Sequence, residues 1–315
     1  MPARVEGLGY QTTIFITFSR EDHFAAGLLS ILNLQDHQTR LRIRVHLLHA
    51  ALNEIEGLIV QMLSNYSLKS GSRFYVQERL NHVGQRIGLT KNIAQHAFQV
   101  LRLADGDKVS LFDGHGAEFV AVLQRGVKSS YAILEESIDS GADSKLNITL
   151  VQSVLTADKM DLVIQKATEL GVTSLAPILT SRTVVKLNEK KIESRLEHWK
   201  NISIASSEQC GRSILPLIST PLSIEEWLSE IDPSLQKNEK RFVLAPRSGG
   251  KLPLDINGVE KVIFLIGPEG GLSDGEITLS ETRGFQRTTI GPRVLRTETA
   301  GIVGASIAQA IWGDV

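Results

Sequence analysis

The chain has one cysteine, Cys210, so no intramolecular disulfide can form and no zinc site can be built on several thiolates. A single thiol also suits a reducing, cytoplasmic setting. Neither sign of charge dominates: 34 Lys and Arg face 35 Asp and Glu, a formal net charge of −1. Overall charge therefore points to no nucleic-acid or membrane partner. Long apolar runs are missing too, and none reaches the roughly 18 residues of a membrane span. The apolar stretch 24–34 (FAAGLLSILNL) follows Glu21 and Asp22, where a signal peptide carries positive charge. There is no internal repeat and no low-complexity tract.

What remains is an ordinary globular composition, 42% hydrophobic and 22% charged over 315 residues, enough for about two domains. Charge is segregated locally. Residues 73–102 carry five bases (Arg73, Arg79, Arg86, Lys91, Arg102) against Glu78, a net of +4. Residues 103–145 carry four bases against eight acids, a net of −4. A basic start can meet phosphate, although a solvated, internally neutralised face reads the same way.

The pattern divides the chain in three. Residues 1–72 hold an apolar stretch, an amphipathic helix over 41–63 and a polar linker, NYSLKSGS. His46 and His49 lie three apart on that helix, but without a third ligand they do not make a metal site. Residues 73–145 read as a small β-rich module. RFYV, KVSLF, EFVAVL and YAILEE are its strands, and Thr90 caps a helix over 91–103. From 146 strands alternate with helices, which predicts an α/β domain with a largely parallel sheet. Its strands are NITLVQSVL, SLAPILT, LPLIS, RFVLAP, KVIFLIG and TTIG, and its helices cover 158–170, 188–207 and 297–311, with another opening at Ser273 or Asp274. The last helix is rich in small residues, which suits close packing against something flat.

Two strand-to-helix junctions concentrate the chemistry. In IFLIGPEGGLS (263–273) and IGPRVLRTETA (290–300) an apolar strand runs into glycine and a helix follows. Glycine lets the backbone approach a ligand, and a helix start offers unpaired N–H groups. The GxGxxG and Walker patterns are absent, so the cradle suits an adenosine and its ribose better than a phosphate chain. Arg293, Arg296 and Glu298 crowd its mouth. A salt-bridged helix start, with Thr297 as N-cap and Glu298 favoured by the dipole, is the plainer reading. Arg296 fits that reading less well, because the dipole opposes a cation there.

LIGPEGGLS followed by IGPRVLRTETA resembles the 16S ribosomal RNA uracil-N3 methyltransferase family of the SPOUT (α/β-knot) superfamily. RFYV, His96 with Val100-Leu101-Arg102, LFDG, IQKATELGV, Ser181-Arg182, Lys186, SEQCGR and Pro216 agree in order from 73 to 315. The resemblance implies a PUA-like RNA-binding β-barrel over 73–145, followed over 146–315 by an α/β SPOUT-type trefoil-knot methyltransferase domain. It implies S-adenosyl-L-methionine as cofactor, 16S ribosomal RNA or the small ribosomal subunit as partner, a homodimer formed through helices beside the knot, and no metal. Leu265, Ile266, Gly267, Glu269, Gly270, Gly271, Ile290, Gly291, Leu295, Arg296 and Thr299 are the expected cofactor contacts. Arg73, Arg86, His96, Arg102 and Arg182 are the expected RNA contacts. Arg296, then Arg212, would stabilise the uracil anion, and Glu298 or Glu208 would receive its proton. Cys210 reads as a packed thiol, since N3 methylation needs no covalent adduct.

Two alternatives stay open: a SPOUT enzyme acting on transfer RNA or another ribosomal nucleotide, and a non-catalytic RNA-binding protein. Residues 1–72 precede the resemblance. They read as a mobile, dispensable extension or as a start placed upstream, Met62 being the only later methionine before the match.

Overall fold

The computed structural model describes residues 71–315 apart from 187, 235–236, 247 and 254–257. The helix expected over 41–63, the His46 and His49 pair and the fate of the N-terminal segment lie outside the described residues.

Five strands form the first sheet: β1 (Arg73–Tyr75), β2 (Arg86–Gly88), β3 (Lys108–Phe112), β4 (Glu118–Gln124) and β5 (Tyr131–Ser137), in the order β1-β3-β4-β5-β2. β1 runs parallel to β3 and the other pairs are antiparallel. Phe74, Ile87, Leu111, Leu123 and Leu134 fill its core. The Thr90 hydroxyl accepts from the Ile93 amide at 3.3 Å and caps α1 (Lys91–Gln95) as expected. The helix is shorter than expected, however. It passes into a π-helical turn, His96–Val100, and the chain leaves through Arg102 at φ +57. The Leu103 amide reaches back to the Ala97 carbonyl at 2.9 Å and closes that exit.

The second sheet is parallel throughout and has eight strands. In chain order its elements are β6 (Asn147–Ser153), α2 (Ala157–Glu169), β7 (Ser174–Leu179), α3 (Glu189–Cys210), β8 (Leu217–Ile218), β9 (Leu222–Ser223), α4 (Ile224–Ser229), β10 (Glu239–Leu244), β11 (Gly250–Lys251), β12 (Lys261–Ile266), α5 (Asp274–Thr282), β13 (Gln286–Thr289) and α6 (Thr297–Trp312). The strand order is β11-β13-β10-β12-β6-β7-β8, with β9 also on β7. After β10 the chain visits the edge at β11, returns to β12 and then passes back over β10 to β13. Strands buried on both faces need apolar residues at every position. Leu150 and Phe264 accordingly join the core under α2, α3 and α6, while their neighbours Val151 and Leu265 face α4 and α5.

Local rules explain several boundaries. α2 stops at Gly171, whose φ of +75 suits glycine. Ser273 and Glu276 form a reciprocal capping box at the start of α5. The small residues of α6 serve the protomer's own sheet. Gly301, Gly304, Ala305 and Ala308 are buried, and a Cβ on Gly304 would lie 3.4 Å from the Phe264 ring. The flat surface that the small residues were expected to meet is the protomer's own sheet.

Arg73 links the two sheets. Its side chain is 8% exposed, forks onto Glu118 with two bonds of 2.9 Å, donates to the carbonyls of Ser207 and Arg212, and lies over the Phe112 ring. Arg73 is thus a buried tie. It does not belong among the RNA contacts, because burial and two acceptor sets occupy its guanidinium.

Candidate active site

The exits of β10, β13 and β12 lie side by side at the carboxyl edge of the parallel sheet, where open α/β folds bind ligands. A shallow, largely apolar cleft opens between the first two. It is lined by Leu244, Ala245 and Pro246 at the end of β10, by Thr288, Thr289 and Ile290 at the end of β13, and by Arg293, Leu295 and Ala300. The β12 exit, Gly267 to Leu272, is joined to α6 by the Thr297 hydroxyl, which donates to the Gly267 carbonyl at 2.5 Å. Thr297 is therefore the first residue of the helix, bonded across the sheet, and Arg296 occupies the N-cap position with no capping side-chain bond. The expected Thr297 cap is corrected by that tertiary bond.

The glycines of the cradle differ in what they permit. A Cβ on Gly267 would come within 2.9 Å of the Leu272 amide nitrogen and Cγ, so this glycine serves the tight turn of its own loop. Gly271 (φ +69) and Gly291 (φ +71) are left-handed and have open space where a Cβ would stand. Arg182 clamps the same loop by donating to the carbonyls of Gly270 at 2.9 Å and Leu272 at 3.3 Å. The Ser181 amide donates to Glu276 Oε1 at 2.8 Å. Burial works against the Glu276 carboxylate, but bonds from Ser181 and Ser273 outweigh it and hold its pKa below the ordinary range.

Four charged side chains gather at the mouth. Lys159, on the first turn of α2, lies 2.8 Å from Glu269 and 4.0 Å from Glu298, with Arg296 close enough to act on it electrostatically. The hydrogen bond from Lys159 lowers the Glu269 pKa, and the same bond raises that of Lys159. Glu298 is 7% exposed, and its Oε2 has no hydrogen-bond partner among the described residues.

Two candidates lie elsewhere. Arg212 is 3% exposed and donates to the carbonyls of Thr168 and Val172 at 2.9 Å each, with Asp143 at 3.4 Å. These acceptors precede β7, at the amino edge of the sheet. Arg212 is a structural tie, and its role as a second anion-stabilising cation is corrected. Glu208 accepts from the Tyr75 amide at 3.0 Å beside β1, also remote from the cradle. Burial is the main cause of its raised pKa. The native state thus binds this proton more tightly than the unfolded chain, so the stability it contributes is present at low pH and lost as pH rises through the raised value. Glu208→Gln should therefore raise the melting temperature at pH 7 to 8, and the gain should vanish as pH falls into the carboxylate range. A pH series of thermal melts on both proteins measures this, and a gain that persists in acid would contradict the assignment.

Arg86, His96 and Arg102 are exposed on the first sheet and the turn after α1. Arg86 lies over the Tyr131 ring, 3.6 Å from its centroid, and His96 meets Phe74 edge-on at 5.6 Å. Leu244 to Pro246 and Lys159 line or edge the site without a signal in the sequence. Only strand order could bring the β10 exit beside that of β13.

A family model described as an RNA methyltransferase domain matches residues 142–309, and an RNA methyltransferase PUA domain matches 89–135. Ribosomal RNA small subunit methyltransferase E from Buchnera aphidicola subsp. Schizaphis graminum is 32% identical, over 77% of this chain and 97% of its own. The protein of the same name from Synechocystis is 31% identical over 77% of this chain and 80% of its own. Two solved structures share the fold at TM-score 0.70 and cover 78% of this chain and 99% of theirs. One is a methyltransferase from Legionella pneumophila with bound S-adenosylmethionine, 34% identical. The other is ribosomal RNA small subunit methyltransferase E from Neisseria gonorrhoeae bound to S-adenosyl methionine, 33% identical.

Proposed function

Because the chain belongs to the RNA methyltransferase family that includes the ribosomal RNA small subunit methyltransferases E, we propose that it methylates N3 of a uridine in 16S ribosomal RNA, with S-adenosylmethionine as donor. The fold is a SPOUT-type α/β methyltransferase domain preceded by a PUA-like domain. Residues 73–145 act as the RNA-gripping part and 146–315 as the transferring part.

The observation that carries the reading is the cleft at the carboxyl edge. The cradle residues fit the donor: an apolar slot at the ends of β10 and β13, left-handed glycines with open space above the backbone, and a buried carboxylate oxygen with no hydrogen-bond partner among the described residues. Ile290 and Leu295, which line the cleft beside the β10 exit, would offer apolar contact to the donor's adenine. The backbone at Leu265, Ile266, Gly267, Gly270, Gly271, Gly291 and Thr299 frames the rest. Glu269 acts through Lys159, which already holds its carboxylate. When bound, S-adenosylmethionine supplies an electrophilic methyl on a sulfonium. Arg296, exposed at the mouth, stabilises the uracil anion that forms when N3 loses its proton. Glu298 receives that proton on Oε2, and Lys159 offsets its charge. N3 lies on the Watson–Crick edge, so the base enters unpaired. Arg86, His96 and Arg102 meet the RNA on the first sheet, and Arg182 lies at the cradle loop. The protein works as a symmetric dimer in the cytoplasm, the commonest oligomer being a two-fold one.

Nucleoside mass spectrometry of 16S ribosomal RNA from cells with and without the gene tests the reading. Loss of N3-methyluridine on deletion is expected. Unchanged 16S RNA, or a loss confined to transfer RNA, would refute it. Arg296→Ala should slow single-turnover methylation of small subunits by about 10²-fold, the scale of removing one preorganised charge-stabilising group. Arg86→Ala with Arg102→Ala should weaken RNA binding and reduce its salt slope by about one per charge removed. Salt-titrated binding that matches the wild type would remove both from the RNA surface.

A further inference from the structure

Gln152 stands at the end of β6, in register with Ile266 of β12, and is fully buried. Its Nε2 donates to the Ser153 carbonyl at 3.3 Å and to the Thr297 hydroxyl oxygen at 3.1 Å. Thr297 passes its own proton to the Gly267 carbonyl. Carbonyl oxygens only accept, so the direction of every proton in this chain of bonds is fixed. The amide nitrogen must face Ser153 and Thr297, and the single hydroxyl proton of Thr297 must point at Gly267.

The consequence is a defect. Gln152 Oε1 is buried with no hydrogen-bond partner among the described residues. It lies against α6 where a Cβ on Gly301 would approach within 3.0 Å. A buried acceptor without a donor lowers stability; an apolar side chain of the same length would remove that defect but also give up the two bonds that Nε2 donates to Ser153 and Thr297. On balance stability gives the glutamine little advantage. Its position does: Gly267 opens the first cradle loop, and Thr297 opens the helix that has Arg296 at its N-cap and Glu298 in its first turn. The two segments are 30 residues apart and belong to different elements. The bonds from Gln152 through Thr297 to Gly267 fix one against the other.

We propose that Gln152 is a positioning residue for methyl transfer, holding the start of α6 in register with the Gly267 loop through the Thr297 hydroxyl. The inference rests on the methyltransferase reading above. It implies that the cofactor loop and the charged pair move apart together when the relay is cut, while the fold persists.

The test compares Gln152→Met, Thr297→Val and Thr297→Ser with the wild type in three measurements on the full chain. These are amide hydrogen exchange without cofactor, calorimetric S-adenosylmethionine affinity, and single-turnover methylation at saturating cofactor and RNA. Gln152→Met and Thr297→Val should speed exchange in 267–272 and 297–301 together. They should lower the saturated rate about ten- to a hundredfold, as small misplacements of reacting groups do. The melting temperature of Gln152→Met should stay close to that of the wild type, because an unpaired buried acceptor is removed together with two donated bonds. Thr297→Ser keeps the hydroxyl and should restore exchange and rate. A wild-type rate in Gln152→Met, unchanged exchange in either segment, or a rate loss matched by lowered melting temperature and not rescued by serine would overturn the proposal. If Gln152→Met fails to fold, the valine and serine pair at 297 makes the same comparison. A wild-type protein that does not methylate ribosomal RNA would sink the functional reading instead. The coupled exchange and cofactor affinity would then decide the relay alone.

Discussion

Arg73→Ala should destabilise the protein by about 3–5 kcal/mol, because it removes one partner of a buried ion pair and leaves the other uncompensated. Glu118, which is 4% exposed, would keep its charge without the guanidinium that neutralises it. The carbonyls of Ser207 and Arg212 would lose a donor, and Phe112 its stacked cation. For a protein of this size the loss corresponds to a melting temperature lower by roughly 10 °C. Arg86→Ala, by contrast, removes an exposed side chain and should stay within about 1 kcal/mol. Denaturant unfolding of both variants makes the comparison, and an Arg73→Ala loss below about 1 kcal/mol would show that the tie carries no weight. A fall in RNA binding by Arg73→Ala would come from damage to the junction between the sheets.

The second large effect separates two glycines of the cradle. Gly267→Val should weaken S-adenosylmethionine binding at least tenfold, a loss of about 1.4 kcal/mol or more. It should also lower the melting temperature, because the new Cβ would collide with backbone at Leu272, which cannot swing aside. Gly291→Val should weaken binding on the same scale with a smaller stability change. Its strain comes from a left-handed φ of +71, about 1–3 kcal/mol that an exposed loop relieves by shifting. Calorimetry and thermal melts on both variants read out the contrast. Intact folding with unchanged affinity in either would remove that residue from the cradle.

The elements that were legible in the sequence are those whose cause is local. The strands KVSLF, EFVAVL and YAILEE, the stop at Gly171 and the cap at Ser273 each follow from a few neighbouring residues. The two glycine junctions were legible too, since a strand running into glycine and a helix start are contiguous patterns. The helix expected over 91–103 passes at His96 into a π-helical turn and ends at the left-handed Arg102, where the Leu103 amide closes on the Ala97 carbonyl; no local propensity marks either feature.

Charge was where the sequence misled. Arg73, Arg86 and Arg102 look alike in a basic stretch, yet one is buried against Glu118, 45 residues away, and the others face solvent. Arg212 likewise looked like a catalytic cation until its carbonyl partners placed it at the wrong edge of the sheet. A guanidinium's partner sets its role, and in both cases that partner is remote in sequence.

By itself, then, the sequence determined the change near residue 146 from a β-rich module to a parallel α/β domain and the two strand-to-helix glycine junctions, because each is written in short-range periodicity and turn chemistry. Only the tertiary structure decided which charges face the cleft, that the β10 exit completes it, and that Gln152 reaches Gly267 through Thr297. Those depend on strand order and on side chains meeting across the sheet, and no spacing along the chain encodes either.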